Sequence, residues 1–202
     1  LKYKKSVIIL LAVLLFMAVK AYQLFELDGA RFSAIQAARV HFAVKGKNPQ
    51  LFAKVDYPWG GVFLFHTDNG NRTVMAYKEK PSSWFYYARW ATTFNQVQDQ
   101  DGIKTIGWIN GNTNIPGVQA CVFAVEVSDP NIDSIEIGVG TDRINKKIII
   151  GQPLVFSWSK AFIGAVLNPV ALSKDGRVLY EYRYKVANVT NSDDLRWYST
   201  KD

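Results

Sequence analysis

The sequence predicts a mainly β fold carried behind one long apolar helix. This is an α+β arrangement: an N-terminal transmembrane or signal helix, a short amphipathic helix, then antiparallel β-sheets packed as a sandwich or open barrel. Three observations predict it. Ser6 to Val19 is an unbroken run of apolar or small residues behind Lys2, Lys4 and Lys5. From Leu51 onward, short runs rich in β-branched and aromatic residues alternate with Gly/Asn/Asp/Pro turn clusters. After Gly46 no helical period of useful length recurs.

The first element is residues 1–25. Read as one helix, Ser6 to Phe25 is about 30 Å long, enough to cross the apolar core of a bilayer. Lys20 can snorkel to the far interface, where Tyr22 takes its place in the headgroup belt. Two readings stand. The preferred one is an uncleaved anchor; the other is a signal peptide cut near Val19-Lys20-Ala21. No cysteine directly follows the apolar run, which excludes a lipoprotein anchor. Both readings export the remainder, because the lysine cluster before the span stays on the cytoplasmic side.

Residues 26–46 predict a juxtamembrane helix. Asp28 is the expected N-cap, Phe32, Ile35, Ala38 and Phe42 fall on one face, and Gly46 is the expected stop. Its polar face carries too few charges for a helix lying on lipid, so docking onto the following sheet is expected.

Residues 47–202 form the β-rich part. The strand candidates are LFAKVDY, GVFLFHT, RTVMAYKE, SWFYYARWATTF, KTIGWIN, VQACVFAVEV, SIEIGVG, KKIII, LVFSWS and the pair VALS and RVLYEYRYKV. Turns are expected at Pro58–Gly61, Asp68–Asn71, Asn110–Asn112, Asp129–Asn131 and Lys174–Gly176. Asn69-Gly70 and Asp175-Gly176, each between apolar strands, are the strong hairpin signals. Two sheets are expected, with a possible internal boundary at 128–134.

Charge narrows the function classes. The chain has 24 Lys and Arg against 17 Asp and Glu. Four of those bases, Lys2, Lys4, Lys5 and Lys20, belong to the apolar segment, leaving 20 against 17. That balance has no phosphate-binding stripe, so no nucleic-acid partner is expected. Cys121 is the only cysteine and sits in an apolar run, where a buried hydrophobe is the expected role. With only His41 and His66 besides, no metal site and no cofactor are expected. Asp99–Gly102 is a polar turn rather than a calcium loop, since Val97 and Trp108 stand where carboxylates would be needed. Gly138-Val139-Gly140 lacks the third glycine and the helix of a dinucleotide site. Glu126 and Glu136 flank a turn and are the one carboxylate pair to consider, with separate solvent-facing acids as the preferred reading. Asn71-Arg72-Thr73 and Asn188-Val189-Thr190 match the glycosylation sequon.

The densest aromatic stretch is Ser83–Phe94. On a regular strand, Trp84, Tyr86, Ala88 and Trp90 would share one face and Phe85, Tyr87 and Arg89 the other. Burying an unpaired Arg is costly, so the second set is expected to face solvent. Phe85, Tyr87 and Arg89 are therefore the candidate binding residues, and Trp84 and Trp90 are expected in the core.

The layout as a whole is a basic-apolar anchor, a helix with AIQAA, an aromatic hairpin sheet and a hairpin reading ALSKDGRVLYEY. Over roughly residues 1–185 it resembles small, uncharacterised membrane-anchored or secreted proteins of Bacillus-like Gram-positive bacteria. That resemblance implies a location at the cell membrane with a small outer β domain. The expected function is a membrane-anchored extracytoplasmic binding or accessory module, with a cell-wall or protein partner. A wall- or carbohydrate-acting hydrolase is the alternative class, and a structural or stress-related surface protein is the third.

Overall fold

A computed structural model of the chain describes residues 2–80, 82–94, 102–162, 167–185 and 195–200. Helix α1, Lys2–Tyr22, continues into one π-helical turn, Gln23–Leu27. The segment Ser6–Leu27 is long and apolar enough to cross a membrane or to act as a signal sequence, and its most apolar stretch is not buried against the protein.

Helix α2, Ala34–Val40, is seven residues long, much shorter than 26–46. Its N-cap is Ser33, whose Oγ accepts from the Gln36 amide at 3.4 Å. Asp28 instead ends the π-helical turn, its amide bonding the Gln23 carbonyl. The expected apolar stripe is broken for the same reason. Phe32 precedes the cap and Phe42 follows the helix end at His41, and both are exposed, at 64% and 83%. What docks α2 on the sheet is Ala37 and Ala38, whose small side chains admit Phe63, Phe65, Val74 and Ala76.

Among the described residues the β part is three antiparallel sheets, none closed into a barrel, where two sheets were expected. The first is a meander of β1 (Gln50–Tyr57), β2 (Gly60–Thr67), β3 (Gly70–Tyr77) and β4 (Tyr87–Phe94). The second places β6 (Gln119–Val127) between β5 (Ile103–Asn112) and β9 (Leu154–Trp158). The third runs in the order β12 (Arg196–Ser199), β11 (Val178–Arg183), β10 (Val170–Leu172), β7 (Ser134–Ile137), β8 (Ile144–Lys147). The segment 128–133 joins the second sheet to the third.

Alternation along each strand builds the layers. Val62, Leu64, Met75 and Tyr77 of the first sheet meet Ala120, Val122 and Ala124 of β6. From the opposite face of β6, Cys121, Phe123 and Val125 meet Ile135, Ile137, Ala171 and Trp197 of the third sheet. β6 is thus buried on both faces, which is why its sequence reads as a continuous apolar run. The order of layers is α2, first sheet, second sheet, third sheet.

Three strand expectations need correction. Asn110–Asn112 is the end of β5, not a turn, paired with Cys121, Ala120 and Gln119. Packing at 111 is close: a Cβ there would lie 3.1 Å from Met75 Sδ, so a larger residue would have to displace the Met75 side chain. Asn110 brackets residue 162, accepting from the Phe162 amide and donating to its carbonyl. KKIII ends as a strand at Lys147, and Ile149 and Ile150 are exposed in the following turn. β12 escaped the sequence reading altogether. The turn at Lys174–Gly176 is as expected, with Gly176 at φ +81° between β10 and β11.

Candidate functional site

The stretch Ser83–Phe94 is not one regular strand. β4 begins only at Tyr87, so Trp84 lies before the sheet and is 81% exposed. Within β4, Ala88 pairs with Ala76 and Trp90 with Met75, leaving Arg89 as the extra residue of a β-bulge. The bulge shifts the alternation by one. Ala88 and Ala91 face α2 together, while Tyr87 and Trp90 fall opposite Tyr77 and Met75. Trp90 is consequently at the sheet edge and 43% exposed. The expectation that Trp84 and Trp90 are core residues is therefore wrong: Trp84 precedes the strand, and the bulge at Arg89 resets the alternation before Trp90.

The three candidate binding residues separate into two places. Tyr87 is half-buried and lies beneath the Arg89 guanidinium, 4.8 Å from the ring centre. Arg89 is exposed and grips Glu79 Oε1 with Nε at 2.9 Å and Nη2 at 2.7 Å. Burial is the main reason the Tyr87 hydroxyl is held above its ordinary pKa, with Glu79 adding to it. Phe85 has other neighbours. Its ring meets Phe25 at 5.6 Å edge-on and Phe32 at 5.1 Å. Phe25 and Phe32 are themselves 5.7 Å apart. Phe85 is thus the third ring of a cluster at the root of α1.

That root is braced by Arg31. Arg31 pairs antiparallel with Tyr86, each amide bonding the other's carbonyl at 3.0 and 2.8 Å. Its guanidinium donates to the carbonyls of Phe25 and Ala30 and reaches Glu26 at 3.5 Å. Glu26 also meets Lys45 at 3.7 Å, which ties the turn after α2 to the same place.

A separate cleft of about 320 Å³ opens where Trp59 and Lys78 face the turn Ile115–Val118. The Trp59 ring is stacked on Tyr57 at 4.7 Å and 8°, and meets Tyr77 edge-on at 6.4 Å. This gives the cleft a rigid aromatic wall. Lys78 directs its ammonium over the Tyr86 ring at 5.1 Å, so its charge is already engaged. From the sequence, Pro58–Gly61 is expected only as a turn. A Trp between Pro and Gly was the available signal, since a turn rarely needs so large a ring.

The ionisable groups are mostly engaged in local pairs. Glu136 is bonded to Arg143, which holds its carboxyl below the usual range. Glu126 lies on β6 opposite Lys104, in a different sheet, so the two acids do not face each other. Cys121 is buried, and burial pushes its thiol up to about 12. His41 accepts from the Ala43 amide at 3.2 Å, and His66 is bonded to Asn71 at 2.7 Å. Among the described residues no three His, Cys, Asp or Glu converge as metal ligands would. Asn71 is buried on β3 beneath its neighbours, which removes that sequon from solvent. Asp99–Asp101 and the second sequon lie outside the described residues.

Two further clefts are present. One of about 480 Å³ lies at the β10–β11 turn beside Asn131, Lys174 and Asp175. Another of about 370 Å³ lies between Thr92 and Trp108 to Asn110. No protein-family model, curated protein or solved structure matches the chain.

Proposed function

We propose that the protein is a membrane-tethered module that acts by binding on the outer side of the cell membrane. The observation that carries this reading is the span Ser6–Leu27, whose apolar middle is not buried against the rest of the chain. A water-exposed stripe of that length is paid for by a bilayer. Lys2, Lys4 and Lys5 precede the span, and the positive-inside rule then directs the β domain outward. In this reading the cleft at Trp59 takes the ligand; what supports it is the Trp59 ring, already held against Tyr57 and Tyr77. Tyr87 and Arg89 form a secondary contact surface along the β4 edge.

Hydrolysis of a wall polymer would require two carboxylates across a cleft. Of the three clefts described, only the one at the β10–β11 turn includes a carboxylate, Asp175, which is bonded to Ser173 and Arg177. This favours binding over chemistry.

Membrane fractionation with intact-mass measurement tests the tether, and protease treatment of intact cells tests the orientation. The expected result is a full-length chain that needs detergent for extraction and is digested from outside. A soluble product beginning near Tyr22 replaces the anchor with a cleaved signal. Co-sedimentation of the solubilised full chain with purified cell wall then separates a wall ligand, lost in Trp59→Ala, from a protein partner.

A further inference from the structure

We propose that the apolar collar at the root of α1, formed by Phe32, Phe42, Trp84 and Leu27, beds into the headgroup region of the membrane. The β domain would then be held against lipid rather than hung beneath it. This rests on the tether reading above, and adds a second contact surface to it.

Four observations converge. First, Leu27 (69% exposed), Phe32, Phe42 and Trp84 present large apolar side chains to water, although the domain has a well-filled core elsewhere. Exposed apolar patches of this kind mark a contact surface.

Second, the patch is continuous with the span. The 22 residues Ser6–Leu27 are about 33 Å long as a helix, against a hydrocarbon core of about 30 Å. Phe25 and Leu27 therefore emerge at headgroup depth. Phe32 and Phe85 touch Phe25 directly, and Trp84 precedes Phe85 in the chain. Trp and Phe at this depth match the aromatic belt of membrane proteins.

Third, the connection has no slack. Arg31 bonds the Phe25 and Ala30 carbonyls, pairs with Tyr86 and reaches Glu26, while the Ala30 amide bonds the Leu24 carbonyl at 3.1 Å. Glu26 holds Lys45, three residues past Phe42. A domain fixed so close to the helix end cannot swing its collar away from the bilayer.

Fourth, the collar's own rings are packed in a way that leaves one side open. Phe25, Phe32 and Phe85 support one another, yet Trp84 and Phe42 lie outside that cluster and are largely exposed, Phe42 resting on the His41 ring at 4.3 Å. Lipid is the occupant that continuity with the span selects, because a protein partner would have to share that space with the bilayer.

The test places a nitroxide on the full chain in vesicles of phosphatidylcholine and phosphatidylglycerol, using Trp84→Cys, Phe42→Cys and, as control, Ile149→Cys. Ile149 is exposed beside the third sheet, with two sheets between it and α2, and Cys121 is buried and does not compete for label. The collar labels are expected to gain oxygen accessibility and lose nickel-chelate accessibility relative to the Ile149 label. Quenching of native fluorescence by brominated lipid, reduced in Trp84→Phe, reads the same depth without a cysteine. Collar labels as open to the chelate as the control, on protein that floats with the vesicles, overturn the collar and leave the tether standing. Labels immobilised and shielded from both reagents show a protein or second copy on the patch, which also overturns it. Protein that does not float, or whose mass begins after Ala21, removes the tether and the collar together.

Discussion

Two aromatic, apolar stretches of this chain have opposite fates. Ala120–Val125 of β6 is buried on both faces, with Phe123 packed edge-on against Trp108 at 6.0 Å and Tyr182 at 5.4 Å. Ser83–Trp90 is richer in aromatic residues, yet Trp84 and Trp90 face water. Hydrophobicity is similar in kind; position is not. β6 is the middle strand of the middle sheet, so both of its faces meet another layer. β4 is an edge strand, entered late and bulged at Arg89, so its rings outnumber the surfaces available to cover them. Burial is thus decided by the place of a strand in the stack, and surplus aromatic surface is released for contact with something else.

The largest expected effect breaks the comparison if it fails. Phe123→Ala removes a large side chain from a site closed on all sides and should cost about 3–5 kcal/mol, read as a shift of the denaturant midpoint at constant slope. A smaller loss than Trp90→Ala causes would invert the assignment of core and edge.

The next effect is on pH. Tyr182 packs behind β6 against Phe123 and Trp197, and burial raises its hydroxyl to about 12; burial does the same to Tyr57, between the first two sheets. The folded pKa is above the unfolded value of about 10, so this stability is fully present below pH 10 and is lost as pH rises toward 12. Alkaline titration followed by tyrosinate absorbance should show a fraction of the tyrosines ionising only as the fold melts. Smooth ionisation of all of them near pH 10 would deny the closed core.

Trp90→Ala comes third, at about 2 kcal/mol, because nearly half of the residue is already in water. Trp84→Ala is the smallest, within about 0.5 kcal/mol in detergent, as expected of a surface position. Thermal melts of the two variants measure both. Should Trp84→Ala destabilise as much as Phe123→Ala, the collar is part of the core and its exposure has another cause.

Much of this architecture was legible in the sequence. The span was visible because fourteen consecutive apolar or small residues behind three lysines have few other uses. Among the described residues, eleven of the twelve strands start or end within a few residues of the runs read from the sequence, and the β2–β3 and β10–β11 hairpins follow Asn69-Gly70 and Asp175-Gly176. β12 was not visible, since Arg196–Ser199 is four residues with no turn signal and becomes a strand only by pairing with β11. Of the candidate binding residues, the exposure of Arg89 was legible from the cost of burying it, and its clasp on Glu79 was not. The two lie ten residues apart and meet only through the β3–β4 pairing.

The sequence by itself determined the local terms: which segments are apolar enough to leave water, which are extended, and where glycine permits a turn. Those follow from side-chain volume, branching and backbone freedom within a few neighbouring residues. Only the tertiary structure decided which apolar faces find a partner. The strand order of three sheets, the bulge at Arg89 and the clamp of Arg31 at the root of α1 each depend on residues far apart in the chain. Burial is a property of the pair of surfaces that meet, and a sequence read along its length records only one of them.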